Sequence, residues 1–206
     1  ISNKIFACIW DSPTTIWLSI RGTDNLKEWK NNFKIQQLNY DDAINEFSRV
    51  PAFMKQNKNI MVHKGFLSLF SNLIEDIENV VSKLCQNETK TLCINGHSLG
   101  GVMALLFGME FQKSSKLNTC VYTLGCPRIG NIEFAHSCNE MDLPIFRIAN
   151  TEDHFTDMPS SVSPNFKNAK KPYIYMHPGN AYTFTENLKS VSNNHSLFIY
   201  LKNLPP

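Results

Sequence analysis

The chain is predicted to fold as an α/β domain on a mostly parallel central sheet, with an antiparallel N-terminal strand pair and helices on both faces. Three observations predict it. Short β-rich apolar runs alternate with segments of helical periodicity. The first two runs, "KIFACIWD" and "TTIWLSIR", are joined by a tight turn at Ser12-Pro13 and read as a hairpin. Finally, the apolar run "KTLCIN" passes through a glycine-rich turn straight into a long apolar segment.

After the hairpin, "FLSLFSNLIEDIENVVSKLC" places Phe66, Phe70, Leu73, Ile77, Val80 and Leu84 at spacings of three and four, which predicts an amphipathic helix. "KTLCIN" has the uninterrupted apolarity of a buried parallel strand. Residues 98–113 continue as a helix. "TCVYTLG" is the next strand, followed by a short helix around Ile132–Cys138 and the strand "PIFRIAN". A loop-rich part contains the strands "PYIYMH" and "AYTFT", and "SLFIYLKNL" closes as a helix. No repeat or Pro/Gly-rich linker divides the 206 residues, so one domain over 1–206 is expected.

Composition narrows the function classes. Hydrophobic residues make up 42% and charged residues 18%, enough apolar content for a sizeable core. A formal net charge of +2, without a Lys/Arg block, argues against nucleic acid as a partner. No apolar run approaches the ~20 residues that span a bilayer. The six cysteines, Cys8, Cys85, Cys93, Cys120, Cys126 and Cys138, include no CxxC pair and are expected as free thiols. No His/Cys/acid group has metal-ligand spacing, and no metal or cofactor is expected. The sequons at Asn87 and Asn194 are short, and a glycan on Asn194 would crowd His195. With the free thiols, this leans toward an intracellular or non-glycosylating setting, while an upstream signal segment stays open. Oligomeric state is not readable.

"GHSLG" (Gly96 to Gly100) matches the G-x-S-x-G turn, in which a serine is held on a sharp strand-to-helix bend. Glycines flank it because side chains there would collide. The helix start after Ser98 favours developing negative charge. A serine hydroxyl needs a base, and the base needs an orienting carboxylate, in the chain order Ser, acid, His. Asp153 follows "PIFRIAN" closely, with Asp157 as its rival. His195 precedes the last helix, with His177 as its rival. The assignment is Ser98, Asp153 and His195. His97 is expected to point away from the site, His63 to brace a loop, and His136 and His154 to lie at the surface.

These segments together resemble the class 3 lipase family of the fungal triacylglycerol lipase type. The resemblance runs through "SIRGTDNLKEWKNNF", "VHKGF", "GHSLGG", "GCPRIGNIEFA", "RIANTED" with "MPS", and His195 followed by Tyr200-Leu201. It implies an α/β-hydrolase fold and cleavage of carboxylic esters of acyl lipids, with transient contact at a lipid surface. It also implies backbone N–H donors from Thr23 and Leu99 to an oxyanion, structural roles for Arg21 and Arg128, Asp153 rather than Asp157, and a non-catalytic His177. Phospholipase A1 or small-ester esterase activity on the same site is the alternative, as is a non-catalytic lipid-binding module. The family carries its lid where this chain has segment 24–60. Trp29 and Phe33 are expected in the core, and residues 41–54 divide evenly between core packing and a cover over Ser98. "DDAINEFSRV" is expected as a short helix with Ile44 and Phe47 on one face.

Overall fold

Strand alternation organises the molecule. In the computed structural model, which describes residues 6–22, 35–85, 90–114 and 117–204, β2 (Thr15–Ile20) buries Ile16, Leu18 and Ile20 and turns Trp17 outward. It pairs antiparallel with β1 (Ala7–Asp11) and parallel with β5 (Thr91–His97). β6 (Asn118–Leu124), β7 (Ile145–Asn150) and β10 (Ala181–Phe184) continue the sheet in parallel, giving the order β1-β2-β5-β6-β7-β10. Among the described residues two small two-stranded antiparallel sheets stand apart: β3 (Gln37–Leu38) with β4 (Val62–His63), and β8 (Val162–Ser163) with β9 (Tyr173–Ile174).

The first helices are short, α1 (Tyr40–Ala43) and α2 (Ala52–Gln56). Asn39 caps α1 by accepting from Asp42 N at 2.8 Å. The helix stops at Ala43, which leaves Ile44 exposed and Phe47 half-buried, so these two do not share the expected face. α3 (Lys64–Leu84) buries Phe66, Leu67, Phe70, Ile74, Ile77 and Val81. The expected stripe shares Phe66, Phe70 and Ile77 with it. The actual seam is rotated toward Leu67, Ile74 and Val81, and Val80 is exposed. Both stripes satisfy three-and-four spacing, so periodicity alone does not choose between them.

α4 (Leu99–Ser114) is the central helix, with Val102 to Met109 apart from Gly108 at 2% exposure or less. Gly108 permits its approach to β6, since a Cβ there would meet Val121 Cγ2 at 2.2 Å. Glu110 lies inside this apolar helix and accepts from Ala52 N at 2.7 Å, capping α2; burial pushes its carboxyl up from the usual range. α5 (Ile132–Glu140) packs on the same side, through Cys138 against Met109 and Phe134 against Phe53. On the opposite face α6 (Val191–Asn194) and α7 (Leu197–Lys202) cover the carboxyl ends of the strands, with Tyr200 edge-on to Phe184 at 5.4 Å. Lower on that face Trp10, Trp17, Phe146 and Tyr182 remain exposed, and Tyr122 stacks on Phe146.

Candidate active site

The site forms where β5 ends. Ser98 is a non-glycine residue at φ 57°, in the left-handed region, and its N–H donates to Leu124 O at 2.8 Å. Its carbonyl accepts the first turn of α4, from Gly101 N at 2.9 Å. The bend closes so tightly that a Cβ on Gly96 would lie 2.2 Å from Gly100 C and O, and one on Gly100 would lie 2.2 Å from Ile20 O. Leu99 is the first residue of α4, where backbone N–H groups lack intrahelical acceptors. Gly22 passes directly beneath, a Cβ there falling 2.7 Å from His97 O and 3.4 Å from Ser98 Cβ. Thr23, the other expected oxyanion donor, lies outside the described residues.

Asp153 and His195, separated by 41 intervening residues, meet: His195 Nδ1 and Asp153 Oδ2 are 2.6 Å apart, and both side chains are fully buried. A carboxylate only accepts, so this pairing puts the proton on Nδ1. The lone pair of Nε2 is then available, and Nε2 is buried with no hydrogen-bond partner among the described residues. Tyr200 Oη donates to the same carboxylate oxygen at 2.5 Å, and Phe155 N donates to Oδ1 at 2.9 Å. Asp153 is therefore held on three sides.

A fully buried amide ties these loops together. Asn150, at 0% exposure, donates to Glu186 O and Asn194 O and accepts from Glu186 N at 3.0 Å. It ends β7 three residues before Asp153 and contacts the residue just before His195. Asn194 in turn donates to Glu152 O and accepts from Leu188 N. Both polar atoms of the Asn194 side chain are thus hydrogen-bonded inside the protein, and the residue is 5% exposed.

His97 does not point away. Its ring lies 4.6 Å from that of His195, and Phe155 lies 4.3 Å from His195, so the imidazole sits in contact with both rings. Burial and the neighbouring His195 push the His97 imidazole down to about 4. The reading that it points elsewhere fails because β5 ends at the bend: alternation carries His97 to the face where α7 delivers His195. His177 is elsewhere, bonded through Nε2 to Thr156 O at 2.8 Å and pushed down to about 4, first by burial and then by Arg147. Asp157 is exposed and paired with Arg128, which also donates to Pro159 O at 2.9 Å. His63 caps α3 by accepting from Gly65 N, and His136 and His154 are exposed.

The two depressed imidazoles give an expected pH dependence. In the unfolded chain each ring takes a proton near pH 6.5, whereas the folded protein refuses it until about 4. Stability is therefore highest above pH 6.5 and falls as the pH drops toward 4, by up to about 1.4 kcal/mol per pH unit for each ring. Urea midpoints between pH 7 and about 5, above most carboxylate titration, check this. His177→Gln should flatten the slope.

Ser98 is 3% exposed, Asp153 1% and His195 1%, so all three are buried. Of the candidate cover 24–60, residues 24–34 lie outside the described residues. Trp29 and Phe33 fall among them. The described part is fastened to the core: Ala43, Phe53 and Met54 are buried, Arg49 pairs with Glu78, and α2 is capped by Glu110.

Residues 17–163 match the family model described as Lipase (class 3). The lipase of Rhizopus niveus is 31% identical over 174 residues, which cover 82% of this chain and 38% of that protein. A chloroplastic phospholipase A(1), DAD1 of Arabidopsis thaliana, is 28% identical over 160 residues, 72% of this chain and 34% of the other. A solved triacylglycerol lipase, with a catalytic centre formed by a serine protease triad, superimposes with a TM-score of 0.68 at 26% identity. That match covers 88% of this chain and 62% of the other. The chain thus spans about two fifths of the Rhizopus niveus lipase.

Proposed function

The chain belongs to the class 3 lipase family, and from that premise we propose that it is a serine hydrolase cleaving carboxylic ester bonds of acyl lipids. The observation that carries the reading is Ser98 at positive φ on the strand-to-helix bend, next in sequence to His97, whose ring contacts His195 of the buried Asp153–His195 pair. Strain at a non-glycine residue persists only where its surroundings enforce it, and the interlocked glycines do so here.

In the proposed reaction Ser98 Oγ attacks the acyl carbonyl carbon and His195 Nε2 takes its proton. Nδ1–H stays on Asp153, which orients the ring and stabilises the imidazolium. The carbonyl oxygen becomes an oxyanion, held by the Leu99 N–H at the start of α4 and by Thr23. Each such donor is worth about 10²–10³ in turnover. His195 then gives the proton to the leaving alcohol oxygen as the ester C–O bond breaks. A water, deprotonated by the same imidazole, releases the acid and restores Ser98. The family carries its lid where this chain has segment 24–60, and the proposed reaction includes an opening of the site at a lipid surface. The similarity to a phospholipase A(1) supports a second reading, in which the substrate carries a phosphate headgroup.

A fluorophosphonate probe tests the core of the proposal. The chain should be labelled on Ser98, and Ser98→Ala and His195→Ala should abolish labelling. No labelling at any pH between 6 and 9 rejects the hydrolase reading and leaves a lipid-binding module. Rates on tributyrin, phosphatidylcholine and a short nitrophenyl ester then rank the substrate classes. A tributyrin rate that does not rise past the solubility limit rejects the opening cover.

A further inference from the structure

We propose that the loop between β8 and β9, residues 164–172, is a docking element for an anionic lipid surface, with Phe166 as its apolar anchor. Phe166 is 90% exposed, the highest value for a large apolar residue among the described residues. It does not sit on a slack segment. Asn165 Oδ1 accepts from Lys167 N and Asn168 N, each at 3.1 Å, and Asn165 Nδ2 donates to Lys171 O at 2.9 Å. Asn168 Oδ1 accepts from Lys170 N at 3.2 Å. The hairpin pairs Val162 with Ile174 and Ser163 with Tyr173 at its base. Val162, 62% exposed, continues the apolar surface. A tied loop that holds a phenyl ring in water leaves its apolar burial unused, available to any apolar phase that the ring enters.

Charge selects the partner. Between Asp157 and Glu186 the chain carries no acidic residue and three lysines, Lys167, Lys170 and Lys171. All three are exposed, and none forms an ion pair among the described residues. The acids on the inner flank are Asp42, Glu46 and Glu133, which line grooves shared with Lys167 or Lys171. Glu46 is already matched by Lys64, and Glu133 accepts from Asn131. An exposed phenyl ring on a loop that carries three exposed lysines fits a surface with negative headgroups above an apolar interior. Position agrees. The hairpin leaves the loop of Asp153 only nine residues after it, and Arg128 pins the stretch between, at Asp157 and Pro159. The choice of lipid as partner rests on the lipid-ester reading, but the docking itself needs no turnover.

The experiment uses the full chain as Ser98→Ala, so that vesicles stay intact. Co-sedimentation is measured with phosphatidylcholine vesicles with and without phosphatidylserine. Binding should require phosphatidylserine and fall away on raising the salt. Replacing Lys167, Lys170 and Lys171 together by Gln should weaken it about 100-fold. Phe166→Ala should weaken it about tenfold. In a background with Ser98 intact, the same substitutions should leave hydrolysis of a short soluble ester unchanged. Equal binding to both vesicle types, or binding that survives loss of the lysines, overturns the proposal. So does recruitment to an acidic polypeptide but not to vesicles. Should Ser98 resist the fluorophosphonate while the lysine-dependent binding holds, the hydrolase reading falls and the docking surface stands.

Discussion

Asp153→Asn should lower kcat/KM on a short soluble ester by about 10⁴-fold while the protein stays folded. The substitution keeps the shape of the side chain and exchanges one acceptor oxygen for an NH2 group. Asp153 Oδ2 receives both His195 Nδ1 and Tyr200 Oη, so the amide nitrogen cannot replace it without reversing a donor. An amide N–H aimed at Nδ1 favours the tautomer with the proton on Nε2, which then cannot accept from Ser98. The residual rate comes from Ser98 and the oxyanion donors. Initial rates on a nitrophenyl ester check the loss, and a thermal melt within a few degrees of the parent checks the fold. A rate within tenfold of the parent removes Asp153 from the role assigned to it.

Gly100→Ala has the other large expected effect, on stability. The added Cβ would meet Ile20 O at 2.2 Å and Arg21 C at 2.9 Å, both backbone atoms of a central strand and its exit. No rotamer change relieves that contact. Strand β2 must separate from the start of α4, opening the sheet beside Ser98. Loss of about 3–5 kcal/mol is expected, a large part of the roughly 5–15 kcal/mol that stabilises a domain. Soluble yield and the urea midpoint should both drop sharply. Gly101→Ala is the control. Its Cβ meets the Cys126 side chain at 3.1 Å and the Gly96 carbonyl at the same distance, a milder crowding that a few tenths of an ångström relieves.

The sequence makes the bend legible because its chemistry is local. Gly96, Ser98 and Gly100 sit within five residues, between a strand pattern and a helix pattern. The mostly parallel sheet follows for the same reason, from apolar runs separated by helical ones. Features that depend on distant segments are harder to read. Tyr200 is visible in the terminal motif, but nothing near it says that its hydroxyl reaches Asp153, 47 positions earlier. Asn150 looks like the end of a strand, and its part in gathering the loops at 152, 186 and 194 exists only after they fold. His97 is misread because adjacency to Ser98 says nothing about what arrives on the other side of the strand. The face of α3 is ambiguous because two overlapping stripes fit its spacing, and contact with α4 decides between them. Residues 41–54 have as much apolar content as a cover would need, yet Ala43, Phe53 and Met54 spend theirs on the core.

The burial of Ser98 to 3% carries a thermodynamic consequence. In the conformer described Ser98 is almost wholly covered, so on the proposed hydrolase reading turnover would proceed from another member of the ensemble. The apparent affinity for a freely dissolved ester is reduced by the fraction of molecules in that accessible state; with ~1% accessible, it falls about 100-fold. A phase that binds the accessible conformer preferentially acts as an effector, and its differential affinity for the two conformers sets how far the equilibrium moves. On the proposed reading, the packing that buries Asp153 and His195 makes latency an equilibrium property, adjustable by anything that redistributes the conformers.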